Sequence, residues 1–161
     1  MKTLLFSFLL LLAPCNKDKQ ITSSADADID SVVIIFQTTA CFGKCPIYTL
    51  TINGESKTAT FIGEKNTEKI GTYTKVVSKK ELADFVEAFE KAGFNSLLDE
   101  YPGMITDFPF HYITYTYKGK TKKVKERSGA PEALLTLEKT LSDYANSEGW
   151  KKTADSTNSN D

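Results

Sequence analysis

The sequence predicts an α+β domain: one antiparallel sheet of about six strands with two helices packed on one face. Short segments with alternating or β-branched apolar residues lie before and between two segments of helical periodicity. Glycine, proline and asparagine separate neighbouring strand segments by few positions, and such tight connections imply antiparallel pairing. The order is four strands, a helix, two strands and a helix, which is typical of an α+β fold.

Four strand segments open the predicted domain. The run Val32–Phe36 is continuous, apolar and rich in β-branched residues, which predicts a strand buried on both faces. In Tyr48–Ile52 apolar residues alternate with threonine, as in a half-buried strand. The dipeptide Asn53-Gly54 favours a hairpin because both residues tolerate positive φ. Two further strands are predicted at residues 57–62 and 70–77.

Two segments have the periodicity of helices. Ser78 and Glu81 have the spacing of a capping box. The apolar face that follows consists of Leu82, Phe85, Val86 and Phe89. Gly93 fits a left-handed helix stop, and Pro131 suits the first turn of a second helix that is predicted to end near Gly149. The apolar side of that helix consists of Leu134, Leu137, Leu141 and Tyr144.

The chain between the helices combines a loop with two strands. Residues 97–110 contain two prolines and a glycine and are predicted to be irregular. The segment His111–Tyr117 alternates as a strand, and Lys118-Gly119 turns the chain into a basic strand. We interpret its cations as the lysine protection of an exposed edge, with attraction to an anionic partner or headgroup as the alternative. They are Lys118, Lys120, Lys122, Lys123, Lys125 and Arg127.

The amino terminus has the features of an export signal. Lys2 precedes the apolar run Leu4–Leu12, which is shorter than the roughly 20 residues that span a bilayer. The run ends in Leu-Ala-Pro-Cys and resembles a bacterial lipobox, in which Cys15 would become the lipidated first residue. Pro14 departs from the pattern, because the residue before the cysteine is normally small. Ordinary cleavage or an uncleaved signal is the alternative.

These features divide the chain into four parts. Residues 1–14 are predicted to be a signal peptide, and the polar residues 15–30 a flexible lipoprotein tether. Residues 31–150 have the length of a single domain, and residues 151–161 are predicted to be a disordered tail. We therefore expect a protein of the bacterial cell envelope that is lipid-anchored to a membrane, at the outer membrane or the periplasmic face.

Two cysteines remain if Cys15 carries lipid. Export would place Cys41 and Cys45 where disulfides persist, and Gly43 permits the tight turn between them, so we predict that they are bonded to each other. Their spacing is not that of the Cys-x-x-Cys redox motif. A zinc site would need two more ligands, and His111 is the only histidine. We predict neither a metal site nor a cofactor.

The common enzyme motifs are missing from the sequence. It has no Gly-x-Ser-x-Gly, no His-Glu-x-x-His and no phosphate-binding glycine loop. His111 lies in an aromatic strand and is interpreted as a packed or surface residue. The formal net charge of −1 shows no bias toward nucleic acid, which we do not expect as a partner. A non-enzymatic envelope module that binds a protein, peptide or glycan is therefore the predicted class.

Loops carry binding residues on a rigid scaffold, and aromatic rings offer large contact areas. We therefore predict binding by Tyr101, Asp107, Phe108 and Phe110. Two alternatives remain open. The rings close the open end of the sheet while Asp107 forms a turn, or the carboxylates of the Asp99–Asp107 loop serve a hydrolytic enzyme.

A resemblance accompanies the cysteine loop. The sequence Cys-Phe-Gly-Lys-Cys-Pro-Ile-Tyr at residues 41–48, followed by Ile52 and Gly54, is similar to the Cys-Phe-Gly-x-Cys-Pro-x-Tyr signature of an uncharacterised bacterial domain family, domain of unknown function sixty-four thirty-eight. The resemblance covers about Val32–Trp150. Further residues in the family's general order are Tyr101, Asp107, Pro109, Pro131, Leu134 and Trp150. It implies exported bacterial proteins, often lipoproteins, with no assigned activity and no catalytic residues to carry over.

We predict that the mature native chain begins at Cys15 and carries lipid. Mass spectrometry of the protein purified from its own envelope tests this, and Pro14→Gly should speed processing because it restores a small residue. An unmodified Met1, or cleavage at another residue, would contradict the prediction.

Overall fold

The computed structural model describes residues 28–153. The predicted signal peptide, Cys15 and most of the predicted tether lie outside these residues, as does the end of the chain from residue 154. Among residues 28–153, none of the helices combines the length and the apolar character that a membrane-spanning helix requires.

The domain is a mixed α+β fold with one eight-stranded sheet. Its helices are α1 (Lys79–Lys91), a 3₁₀ helix (Phe94–Ser96) and α2 (Glu132–Asn146). Its strands are β1 (Val33–Thr38), β2 (Ile47–Asn53), β3 (Thr58–Lys65), β4 (Gly71–Val76), β5 (Glu100–Tyr101), β6 (His111–Tyr117), β7 (Lys120–Glu126) and β8 (Lys151–Lys152).

The strand order in the sheet is β5-β7-β6-β1-β2-β3-β4-β8. All neighbours are antiparallel except β5 and β7, which run parallel. Helix α1 leaves β4 near one edge and leads through the 3₁₀ helix to β5 at the other edge. Helix α2 returns the chain from β7 to β8. Each helix therefore carries the chain across the sheet.

Both helices cover the same face of the sheet, which we call the helix face. In the register of the central strands, Phe36 of β1 lies between Leu50 of β2 and Ile113 of β6, and all three are buried. The ring of Phe89 in α1 stacks on Tyr115 with centroids 4.0 Å apart. The predicted capping box at Ser78 is confirmed, so the firmest helix signal of the sequence has its expected structural cause.

No described element covers the opposite face. Threonine predominates there, as in the row in which Thr74, Thr60, Thr51, Ile35 and Thr114 lie opposite one another across five strands. The prediction that β1 is buried on both faces was wrong. On the opposite face, Val33 and Ile35 are half-buried and Gln37 is exposed. β-branched residues are favoured in strands that are buried on one face as well as in strands buried on both. The run therefore predicted a strand but could not predict how many of its faces are buried.

The sheet is larger than the six strands predicted. Strands β5 and β8 contain only two residues each, too few for any periodicity. The segment predicted to be irregular therefore contains β5. It pairs only with Lys125 and Glu126, so residues 120–124 of β7 have no strand beside them on that side in the described part of the chain, and the lysine-rich part of β7 is an edge. The folded part extends past the predicted boundary at residue 150, because Lys151 and Lys152 pair with β4. Helix α2 ends at Asn146, before the predicted stop at Gly149.

In the turn after β2, Gly54 is required because a side chain at this position would collide with the backbone packed against it. Positive φ occurs at Lys57 (54°), whereas neither Asn53 nor Gly54 adopts it, so the predicted reason for the hairpin was wrong. A Cβ at Gly54 would lie 2.8 Å from the carbonyl oxygen of Ile29 and 2.9 Å from that of Asp30. Gly54 thus permits the first described turn of the chain to pack on the β2–β3 connection.

We predict that Gly63→Ala destabilises the domain by about 3 kcal/mol, because its Cβ must displace a packed backbone. That Cβ would lie 1.7 Å from the carbonyl oxygen of Lys69 in the β3–β4 connection. The control is Gly119→Ala, where φ is +72° but no atom lies within 4 Å of the new Cβ, and we expect a loss of about 1 kcal/mol. Urea denaturation measures both losses, and equal losses would contradict the steric argument.

Candidate functional site

Two loops meet at the end of the sheet where β1 ends and β6 begins. The backbone N–H of Thr39 donates to the carbonyl of Phe110 at 3.1 Å, and the N–H of Phe110 donates to Thr39 Oγ1 at 2.8 Å. The N–H of Phe42 donates to the carbonyl of Asp107 at 3.2 Å. These bonds continue the β1–β6 pairing beyond the strands. We call residues 39–46 and 102–110 together the loop end.

The first of these loops is closed by its cysteines. The Sγ atoms of Cys41 and Cys45 lie 1.93 Å apart, at disulfide distance, as the sequence predicted. Thr38 Oγ1 donates to the carbonyl of Pro46 at 2.7 Å, and Asn66 Nδ2 donates to the carbonyl of Cys45 at 3.1 Å. The loop backbone is therefore held on both sides, and the ring of Phe42 projects from it with 92% of its surface exposed.

The structure divides the four predicted binding residues into two pairs. Asp107 and Phe108 are exposed in the second loop. Tyr101 is half-buried against the core, and its hydroxyl accepts the N–H of Leu98 at 3.1 Å. The ring of Phe110 has cationic side chains over it, with Arg127 Cζ 3.8 Å and Lys125 Nζ 4.3 Å from its centroid. Tyr101 and Phe110 are therefore half-buried with contacts to neighbouring groups, whereas Asp107 and Phe108 are exposed.

Other exposed apolar residues at the loop end were not among the predicted binding residues. Met104 is 97% exposed, and Ile105 and Phe42 also present their side chains to solvent, in addition to the predicted Phe108, which is 51% exposed. The signal in the sequence was a group of large apolar residues in segments rich in proline and glycine, where no strand or helix was predicted to bury them.

The two aspartates of the predicted hydrolase alternative have different neighbours. Asp99 forms an ion pair with Lys122, and its carbonyl accepts the N–H of Lys125 at 2.9 Å. Asp107 Oδ1 accepts from Thr106 Oγ1 at 3.4 Å, and its backbone bonds to Phe42. The Asp99 carboxylate is therefore paired with β7, whereas Asp107 is joined to the disulfide loop through its backbone carbonyl and its carboxylate contacts only the neighbouring Thr106 among the bonds described.

A second group of polar residues lies on the helix face behind the loop end. His111 begins β6 and faces Glu126, the last residue of β7, across the sheet. Glu138 approaches from the middle of α2. His111 Nδ1 lies 2.9 Å from Glu138 Oε2 and 3.8 Å from Glu126 Oε2. Only 4% of Glu126 and 6% of Glu138 are exposed, so two acidic side chains are buried beside one imidazole. We call these three residues the buried triad.

The electrostatics of the buried triad follow from its burial. Desolvation and the nearby Glu138 carboxylate raise the pKa of Glu126 to about 7, while His111 acts in the opposite direction. Glu138 Oε1 is buried and has no hydrogen-bond partner among the described residues. The edge of the His111 ring meets the ring of Phe36 with centroids 5.6 Å apart. The arrangement concentrates acceptor atoms beside one histidine that is open to solvent on one side.

Sequence reasoning missed the two glutamates. His111 was interpreted as a packed or surface residue, and its partners come from 15 and 27 positions later in the chain. The signal available in the sequence was the position of each glutamate in the apolar repeat of its strand or helix. Glu126 follows buried Val124 by two positions on β7, and Glu138 lies within the helical stripe of Leu134, Leu137 and Leu141. A charged residue in the apolar phase of its own element indicates a buried polar site.

The family comparison agrees with the resemblance noted at the cysteine loop. The family model for DUF6438, a domain of unknown function, matches residues 32–145. The chain belongs to the DUF6438 family. The match runs from the start of β1 almost to the end of α2, so the DUF6438 region contains the loop end and the whole buried triad. A search of the curated proteins finds no match.

We predict that the metal-free DUF6438 domain loses stability as the pH rises from 5 to 8. Glu126 has an ordinary pKa of 4.5 and a folded pKa of about 7. Folding favours the protonated form of Glu126. The stability that this group contributes is therefore complete below its ordinary pKa and is lost as the pH rises through its folded pKa. We expect a loss of about 2 kcal/mol. Urea denaturation in the presence of a chelator measures it, and Glu126→Gln should flatten the profile. An unchanged slope in that variant would contradict the assignment.

Proposed function

We propose that the chain is an exported, lipid-anchored envelope module that binds a protein partner through the apolar side chains of the loop end and acts without turnover. The observation that carries the proposal is the exposure of four large apolar side chains on two adjoining loops. They are Phe42, Met104, Ile105 and Phe108. Single exposed apolar residues are ordinary, whereas a group of them at one place is typical of an interaction surface.

The backbone supports such a role because it is already ordered. The cysteine pair closes one loop, and three hydrogen bonds at Thr39, Phe42 and Phe110 join it to the other. Binding then loses less conformational freedom than it would with free loops. Phenylalanine and methionine are also enriched in protein interfaces, which favours an apolar protein surface over a glycan.

The described chain begins at the end of the sheet away from the loop end, so the predicted tether leaves the loop end accessible. The described chain begins at Asp28, whose carboxylate lies 3.2 Å from Lys118 Nζ at the turn between β6 and β7. That turn is at the other end of the strands from the loop end. A strand of six residues spans about 20 Å, so the loop end lies at least one strand length from the point where the predicted tether enters.

Photo-crosslinking in intact envelopes tests the proposal. A photoreactive residue at position 42 or 104 should capture one discrete protein, and the same residue at position 76 should not. Val76 is the matched control because it is 79% exposed and lies at the opposite end of the sheet. The double variant Phe42→Ser/Phe108→Ser should lower capture from position 104 at least tenfold while the melting temperature stays within a few degrees, because these side chains contribute little to the core.

Two results would contradict this function. One is equal capture from positions 42 and 76. The other is capture that survives the double variant but disappears in Val76→Ser. Labelling of lipid or glycan alone from position 104 would show that the partner is not a protein.

A further inference from the structure

We propose that His111, Glu126 and Glu138 form a binding site for a divalent transition-metal ion of the Zn²⁺ type. Protein binding at the loop end makes no use of this buried triad, and no metal site was predicted from the sequence. The residues come from β6, β7 and α2, so the folded domain brings together three donor side chains that are distant along the chain. An imidazole with carboxylates is a ligand set that suits such ions.

The distances between the donor atoms agree with a shared ion. One candidate ligand atom from each of the three residues lies within 4.8 Å of the other two. His111 Nδ1 is 2.9 Å from one carboxylate and 3.8 Å from the other. Zinc bonds of about 2.0–2.2 Å place neighbouring ligand atoms roughly 3 to 3.6 Å apart. The two distances from His111 Nδ1 bracket this range, so a shared ion requires the glutamate side chains to rotate toward one point.

The unpaired oxygen of Glu138 is a second, independent observation. Glu138 is more than nine-tenths buried, its Oε2 meets His111, and its Oε1 has no hydrogen-bond partner among the described residues. A buried carboxylate oxygen without a partner is costly. A cation bound between the carboxylates would satisfy this oxygen and offset the repulsion between two acidic groups that share one imidazole.

The surroundings also suit a metal. His111 and Glu126 are directly opposite residues of paired strands, so the backbone fixes their separation. The His111 side chain is 26% exposed, whereas the two glutamate side chains are nearly closed off, so an ion would enter on the imidazole side. Three protein ligands leave a coordination position for water, as in open zinc sites.

Zinc titration by calorimetry tests the site in the full chain. The protein is made without a histidine tag and with Cys15→Ser, so that His111 is the only imidazole and no free thiol competes. We expect one saturable Zn²⁺ site per chain and a higher melting temperature with the ion. Glu138→Gln should weaken Zn²⁺ binding at least tenfold, and X-ray absorption of the zinc-loaded protein should show one imidazole nitrogen among oxygen ligands.

Glu132→Gln is the matched control because it makes the same change at an exposed position of the same helix. It should bind Zn²⁺ like the parent protein. The proposal is overturned if the folded parent shows no saturable Zn²⁺ binding, if Glu138→Gln and Glu132→Gln bind equally well, or if the absorption spectrum shows no imidazole ligand. Circular dichroism of each variant establishes that it is folded before it is titrated.

Discussion

The antiparallel pairing of β1 with β6 is the interaction on which the rest of the structure depends. β1 joins the two halves of the sheet, since β2, β3, β4 and β8 lie on one side of it and β6, β7 and β5 on the other. The pairing sets Thr38 opposite His111. The pairing thereby places the disulfide loop beside residues 102–110. It also places His111, the first residue of β6, where it lies opposite Glu126. The loop end and the buried triad are both products of this one register.

The two regions differ in how they meet solvent. The loop end presents apolar side chains outward from a backbone that is held by hydrogen bonds, so its exposed rings contribute little to stability. The buried triad places two carboxylates under α2, where Glu138 joins the helix to the sheet through His111. Buried ionisable groups cost stability unless they are paired. The domain therefore contains two buried carboxylates behind an exposed apolar surface. Neither the carboxylates nor the exposed side chains are needed for packing of the core.

The sequence predicted the parts of this fold that have local causes. The capping box at Ser78 and the stop at Gly93 reflect contacts among near neighbours, and the alternation of β2 reflects the burial of one strand face. The two-residue strands β5 and β8 could not be predicted, because their pairing partners are chosen by the path of the helices. Of the candidate site, the cysteine pair was predicted from residue type and spacing, and Phe108 stays a predicted binding residue that the structure places in an exposed loop. Glu126 and Glu138 were not, because their partnership with His111 exists only after three elements pack together.

The position of β1 also has a consequence for the order in which the domain folds. Residues of β1 pair with partners in β2 that lie 10 to 20 positions later in the chain, whereas their partners in β6 lie 73 to 83 positions later. The meander from β1 to β4 contains only local pairings, whereas the second half of the sheet requires a large loop to close first. Such long-range closure slows folding into the range of milliseconds to seconds. Until β6 arrives, one edge of β1 exposes unpaired backbone groups that another chain can pair with.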